Sequence, residues 1–292
     1  MSALASQSLV TAPQLTRPDR IDGVVPGVRG QRAFPTRRLR NADPFLMLDH
    51  IGPQHIDPAR VISGQAHPHR GFETVSIILA GELDHVDSLG NRVPLREGDI
   101  QVMNAGRGIM HGGDMRPDQK TGLFHEFQLW VNVPAARKMD APSLQNLSAA
   151  DIPTLEQDDT RVRVLTGEYA GHRSPAQTTA PTSVLHVTLR PDTGRFALDL
   201  PPEHRSFVYV IGGSVHSRGQ DANAFETLDF GTGEPSLGVQ ARSEGAELLV
   251  LTGQPLREPV AFGGPFVMNT AAEIEQAFAD YRRGDFGSAT AY

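Results

Sequence analysis

Apolar and polar residues alternate with a period of two along much of the chain, the pattern of strands whose faces meet different surroundings. "TVSIILAGELDHVDS" (Thr74 to Ser88) is a β-branched run with Gly81 at a bend, and "DSLGN" (Asp87 to Asn91) is a turn by composition. "VPLREGDIQVMNAG" supplies another turn at Glu97-Gly98-Asp99, a strand, and a glycine-rich bend at Gly106 and Gly108. "LFHEFQLWVNV" (Leu123 to Val133) is a further alternating strand. Short strands at intervals of about ten residues predict a sandwich or barrel.

The pattern lapses after Ala135, in the polar connection "PAARKMDAPSLQNLSAADIP", and resumes in "RVRVLTG", "TSVLHVTL", "RFALDL", "SFVYVIGGSV" and "AELLVLTG". This predicts two β-domains, 1–135 and 136–292. Only the tail "NTAAEIEQAFADYRRG" reads clearly as a helix. Thr270 and Glu273 have capping-box spacing, Ile274, Ala277, Phe278 and Tyr281 form an apolar stripe, and Gly284 follows Arg282 and Arg283 as a stop. A worn internal repeat links the halves: aligning "EHRSF" with "PHRGF" sets His204 opposite His69 and Pro202 opposite His67. The second unit would then keep one histidine of a pair and lack a site.

Composition narrows the class. At 292 residues, 39% hydrophobic and 21% charged, the chain can bury a full core. Its net charge of −7 argues against nucleic-acid binding, which needs a basic surface. One local exception is "RGQRAFPTRRLR" (Arg29 to Arg40), with five arginines, either a solvated segment or a docking patch for an acidic partner. No run approaches 18 apolar residues and no secretory signal is evident, so a soluble cytoplasmic protein is expected. With no cysteine, thiolate sites, cysteine nucleophiles and disulfides are excluded. Any metal must be held by His, Asp or Glu, which suits iron, manganese, nickel, copper or zinc.

"GQAHPHRGFETV" supplies the first candidate ligands. Residues i and i+2 of a strand share a face, so His67 and His69 can converge on one ion, and Pro68 favours the extended backbone this requires. Two imidazoles make a weak site, and an isolated H-x-H also arises by chance among 11 histidines. His111, ending "GDIQVMNAGRGIMH", is the candidate third ligand, or else a turn cap. Three histidines inside a barrel would leave coordination positions open, a catalytic form of site.

Taken together, "HPHRGFETVSIILAGELDHVDSLGN", "GDIQVMNAGRGIMH", "QLWVN", "PLREPV" and "GPFVMNT" resemble the pirin family of the cupin superfamily, from roughly Arg38 to the C-terminal helix. The resemblance implies two tandem cupin-type β-barrels in a monomer. A non-haem divalent metal, usually iron, would sit in the first barrel, closed by the C-terminal segment, and the second barrel would hold none. It implies His67, His69 and His111 as ligands, with a fourth, a glutamate, two residues beyond His111. That position is Gly113. Asp114 could substitute across a bulge at "HGGD", Glu126 from an adjacent strand, or Glu73 where more distant cupins carry a ligand glutamate; three histidines and a water is the remaining arrangement. His125 is expected to pair with the metal shell or backbone. The function implied is oxygenation of flavonols such as quercetin, a small aromatic substrate class, with a glutamate as base. The alternative is a metal-dependent regulatory module binding a transcription factor or metabolic enzyme, and a vestigial metal site is a third possibility.

Overall fold

The computed structural model describes residues 11–22 and 24–289 of the chain. The all-β expectation holds. Strands build both halves, and the α-helix Ala271–Arg283 starts on a capping box, Thr270 with Glu273, and stops at Gly284 in the left-handed conformation. No helix among the described residues is long and apolar enough to cross a membrane.

The first half is a barrel of two facing sheets. A seven-stranded sheet runs, in spatial order, through Ser143–Leu147, Ile100–Asn104, Phe72–Ala80, Leu123–Asn132, Phe45–His55, Arg29–Phe34 and Asp19–Asp22. A four-stranded sheet runs through Ile62–His69, Ile109–Arg116, Glu82–Asp87 and Arg92–Leu95. The second half is built on a nine-stranded sheet whose middle strands include Thr182–Leu189, Arg205–Ser217 and Ser236–Gly253.

Strands are exchanged between the halves. Gln14–Thr16 pairs with Thr227–Thr232 of the second, whereas Ser143–Leu147 pairs with Ile100–Asn104 of the first. The arginine-rich segment is no loose solvated arm either. Arg29–Phe34 is a strand, Ala33, Phe34 and Leu39 are buried, and Arg37, Arg38 and Arg40 stay exposed.

Period-two alternation divides the large sheets into two faces. Leu48, Val75, Ile77, Ile100, Val102, Phe127 and Leu129 of the first half pack with Phe207, Tyr209, Ile211, Leu249 and Leu251 of the second in one shared core. The opposite face differs between the halves. In the second, Val162, Val164, Leu185, Val187, Val208, Val210, Leu248 and Val250 fill the interior. In the first, Asp49, Ser76, Gln101, Glu126 and Gln128 line a cavity of about 400 Å³.

The C-terminal segment contributes to the wall of that cavity. Gly264 and Pro265 form part of its wall, and Val267 N–H donates to Arg70 O (3.0 Å). Arg70 pairs with Asp280 of the helix (2.6 Å) and lies over the Phe286 ring, fastening the segment to the strand that carries the histidines. The buried Lys138 ammonium adds three bonds, to Gly71 O, Asn132 Oδ1 and Val267 O.

Candidate metal centre

His67, His69 and His111 meet because of strand register. His111 stands directly across from His67 in the antiparallel pair Ile62–His69 with Ile109–Arg116, and His69 follows two residues along on the same face. One ligand atom from each lies within 4.8 Å of the other two, and the ring centroids are 4.3 to 4.8 Å apart. Backbone carbonyls orient two of the rings. Nδ1 of His67 bonds Gln65 O (2.9 Å) and Nδ1 of His69 bonds Pro265 O (3.2 Å), which leaves each Nε2 as the free lone pair.

His111 Nε2 is buried and has no hydrogen-bond partner. A buried orphan nitrogen is costly unless something binds it, and a divalent cation among three imidazoles would. The residues present therefore fit a metal. Electrostatics agree. Burial, reinforced by His67, lowers the His69 pKa to about 3, and burial together with His69, His67 and His85 holds His111 well below the ordinary imidazole range. Both rings are neutral at pH 7, the form that donates to a metal.

Of the three candidate carboxylates, Glu126 alone lines the cavity. It projects from the seven-stranded sheet opposite the histidines, beside a bulge at His125, and burial raises its pKa to about 7. Among the described residues none donates a hydrogen bond to its carboxylate, unlike its neighbours: Asp49 takes a bidentate pair from Arg32 (2.6 and 2.7 Å), and Ser76 Oγ donates to Gln128 Oε1 (3.1 Å). Asp114 and Glu73 go elsewhere. The expected bulge between His111 and Gly113 is present, but the residue it returns to the cavity is Met115, leaving Asp114 with Arg116. Glu73 shares the face of Val75 and Ile77 and accepts from Thr179 N and Oγ1 across the barrel boundary.

Gly113 could not carry the family glutamate in this conformation. Its φ is +151°, and a Cβ there would lie 1.6 Å from Asp84 O.

Two placements were not foreseen. His125 faces away from the metal cavity; its Nε2 bonds His50 Nε2 (2.6 Å), whose Nδ1 bonds Tyr209 OH (2.8 Å). That corrects its expected pairing with the metal shell, because alternation turns His125 and Glu126 to opposite faces. His85 lines the cavity, 5.6 Å from the His111 ring, with Nε2 on Asp87 Oδ2 (3.1 Å). Asp87 is fixed in turn by Asn91 and the Leu89 N–H. The i, i+2 spacing of "HVD" was the available signal. In the second half, the His204 ring bonds the Thr252 hydroxyl (3.2 Å).

Comparison with known proteins agrees with this architecture. The family model described as Pirin matches residues 27–131, and that described as Pirin C-terminal cupin domain matches residues 184–287. A Pseudomonas aeruginosa protein provisionally named quercetin 2,3-dioxygenase PA2418 is 38% identical over 265 residues, covering 87% of this chain and 92% of its own. Pirin of Homo sapiens is 36% identical over 289 residues, covering 97% and 96%. The crystal structure of quercetin 2,3-dioxygenase from Acinetobacter baumannii superposes with a TM-score of 0.88 at 35% identity, covering 96% of this chain and 99% of that one. On fold, motifs and extent of match, the chain belongs to the pirin family, with two cupin domains.

Proposed function

We propose that this protein is a metal-dependent dioxygenase of flavonol-type substrates. His67, His69 and His111 hold one divalent ion, iron foremost, with manganese, nickel, copper or zinc as alternatives, and Glu126 acts as the base. The observation that carries the reading is the pairing of an orphan imidazole nitrogen on His111 with a buried glutamate lining the adjoining cavity. The ion, when bound, would supply Lewis acidity and, for the redox-active metals, electron exchange with dioxygen.

The chain's own groups do the rest. Glu126, with its pKa near 7, is matched to removing a phenolic proton at neutral pH. Gln101, Gln128 and Ser76 offer polar contacts for substrate hydroxyls, while Trp130, Met47, Ile51 and Met115 bound the aromatic rings. A volume of about 400 Å³ suits a three-ring phenol of flavonol size, with Gly264 and Pro265 forming part of the wall. His85, held by Asp87, orients the polar edge of the cavity behind His111.

The test is carbon monoxide release from quercetin and oxygen after anaerobic loading with each metal in turn. Glu126→Gln should retain its metal and lose about 10²-fold or more in kcat. No carbon monoxide with any of the five metals would end the proposal. A second reading, a regulatory module for an acidic protein partner, is supported by the exposed Arg37, Arg38 and Arg40. An R37E/R38E/R40E variant that captures the same proteins as wild type would remove it.

A further inference from the structure

A second cavity, about 420 Å³, lies between the two barrels and takes no part in the chemistry above. Ile78, Leu79, Gly98 and His125 line it from the first half; Arg161, Arg163, His186 and Glu247 line it from the second. Its second-half wall is again a product of strand register. Arg161 and Arg163 sit at i, i+2 on Thr160–Thr166, and Arg163 stands directly across from His186.

Arg163 is the unusual member. It is 8% exposed, its recorded hydrogen bond is from Nη2 to the Gly98 carbonyl, and among the described residues no carboxylate lies within ion-pairing distance. Burial and the neighbouring Arg161 charge both disfavour its cationic form, and Asp99 compensates only from farther away. A guanidinium withdrawn this far from bulk water gains from an anionic partner beside it. The acidic groups on the cavity do not fill this role. Glu247 is taken by His186 (2.7 Å), and Glu97 is an exposed rim residue. The Arg163 donors not used by Gly98 are not sealed off in protein; they open on the cavity. Arg161, half-exposed and paired with Glu156 (3.0 Å), stands at the entrance with the same sign of charge.

We propose that this inter-barrel cavity binds a small organic anion, a carboxylate or a phosphate ester, on the Arg163 guanidinium, with Arg161 as the second cation. Arginine suits both groups because its forked N–H donors match two oxygens of either. The volume exceeds that of an inorganic ion and falls in the range of small-metabolite sites. His125 and His186 flank the bound anion, while Ile78 and Leu79 contact its carbon skeleton.

Calorimetric titration of the full-length protein with succinate, and separately with glycerol 2-phosphate, at fixed ionic strength tests this. Saturable binding of at least one is expected, weakened tenfold or more by Arg163→Gln and severalfold by Arg161→Gln, and unchanged by His111→Ala. Preference for succinate or for glycerol 2-phosphate identifies the anionic group. Should Arg163→Gln fail to fold, the exposed Arg161→Gln carries the test. Absence of binding by both probes overturns the proposal, as does binding that survives both arginine substitutions or is lost in His111→Ala.

Discussion

The two barrels share a fold and a common core, yet their interiors are opposites. Inward positions of the second barrel are Val162, Val164, Val208, Val210, Leu248 and Val250; those of the first include Asp49, Ser76, Gln101, Glu126 and Gln128, facing four histidines. Each apolar side chain buried in the second barrel stabilises the fold by roughly 1.5–3 kcal/mol. The first barrel gives up part of that gain, keeping an apolar cluster around Val28, Ile62 and Phe124, and leaves space beside it. It is held from outside: by the shared core, by the C-terminal segment fastened through Arg70–Asp280, and by exchanged strands. A filled barrel thus supports a hollow one, and the three-histidine cluster is in the hollow one.

The largest break in that comparison should come from the filled side. Leu248→Ala, at a fully buried position, should cost about 2–5 kcal/mol in denaturant unfolding. It should leave metal stoichiometry unchanged at temperatures where the protein is folded.

A pH titration of stability separates the polar interior into opposing contributions. In metal-free protein, His69 and His111 have folded pKa values below the unfolded 6.5, so their contribution is complete above pH 6.5 and is lost as pH falls below it. Glu126 works in the opposite sense. Its folded pKa of about 7 exceeds the unfolded value near 4.5, so stability declines as pH rises from 4.5 to 7. Glu126→Gln should therefore gain on wild type across that window and level off above it, by at most about 3 kcal/mol. Chemical denaturation of both metal-free proteins between pH 4 and 8 reads the difference; parallel curves would show that Glu126 is not held in a desolvated site.

A smaller effect tests the local geometry. Gly113→Ala forces a Cβ against Asp84 O and should cost about 2 kcal/mol, with weaker metal retention because His111 is on the same strand. Full stability and metal retention in this variant would mean the backbone turns differently at the bulge.

Much of the site was legible in the chain because it depends on short spacings. The H-P-H step sets two imidazoles on one face, and the glycine-rich approach to His111 returns the third. The helix ends were equally local, written in Thr270, Glu273 and Gly284. What escaped depends on which face of which sheet a residue takes. Glu73, Asp114 and Glu126 are equivalent as carboxylates in the sequence, but the barrel turns Glu73 to Thr179, Asp114 to Arg116 and Glu126 inward. His85 was overlooked although "HVD" has the same two-residue step as the metal pair. One strand exchange joins residues more than 200 positions apart, Thr16 with Thr227, and the Tyr209–His50–His125 chain spans both halves. No local pattern encodes such pairings.

Elemental analysis of wild type and His111→Ala, purified side by side without chelators, tests the central claim most directly. One metal ion per chain in the wild type and almost none in the variant, with both proteins folded, is the result expected of a hollow barrel built around His67, His69 and His111. Equal metal content in the two would contradict it.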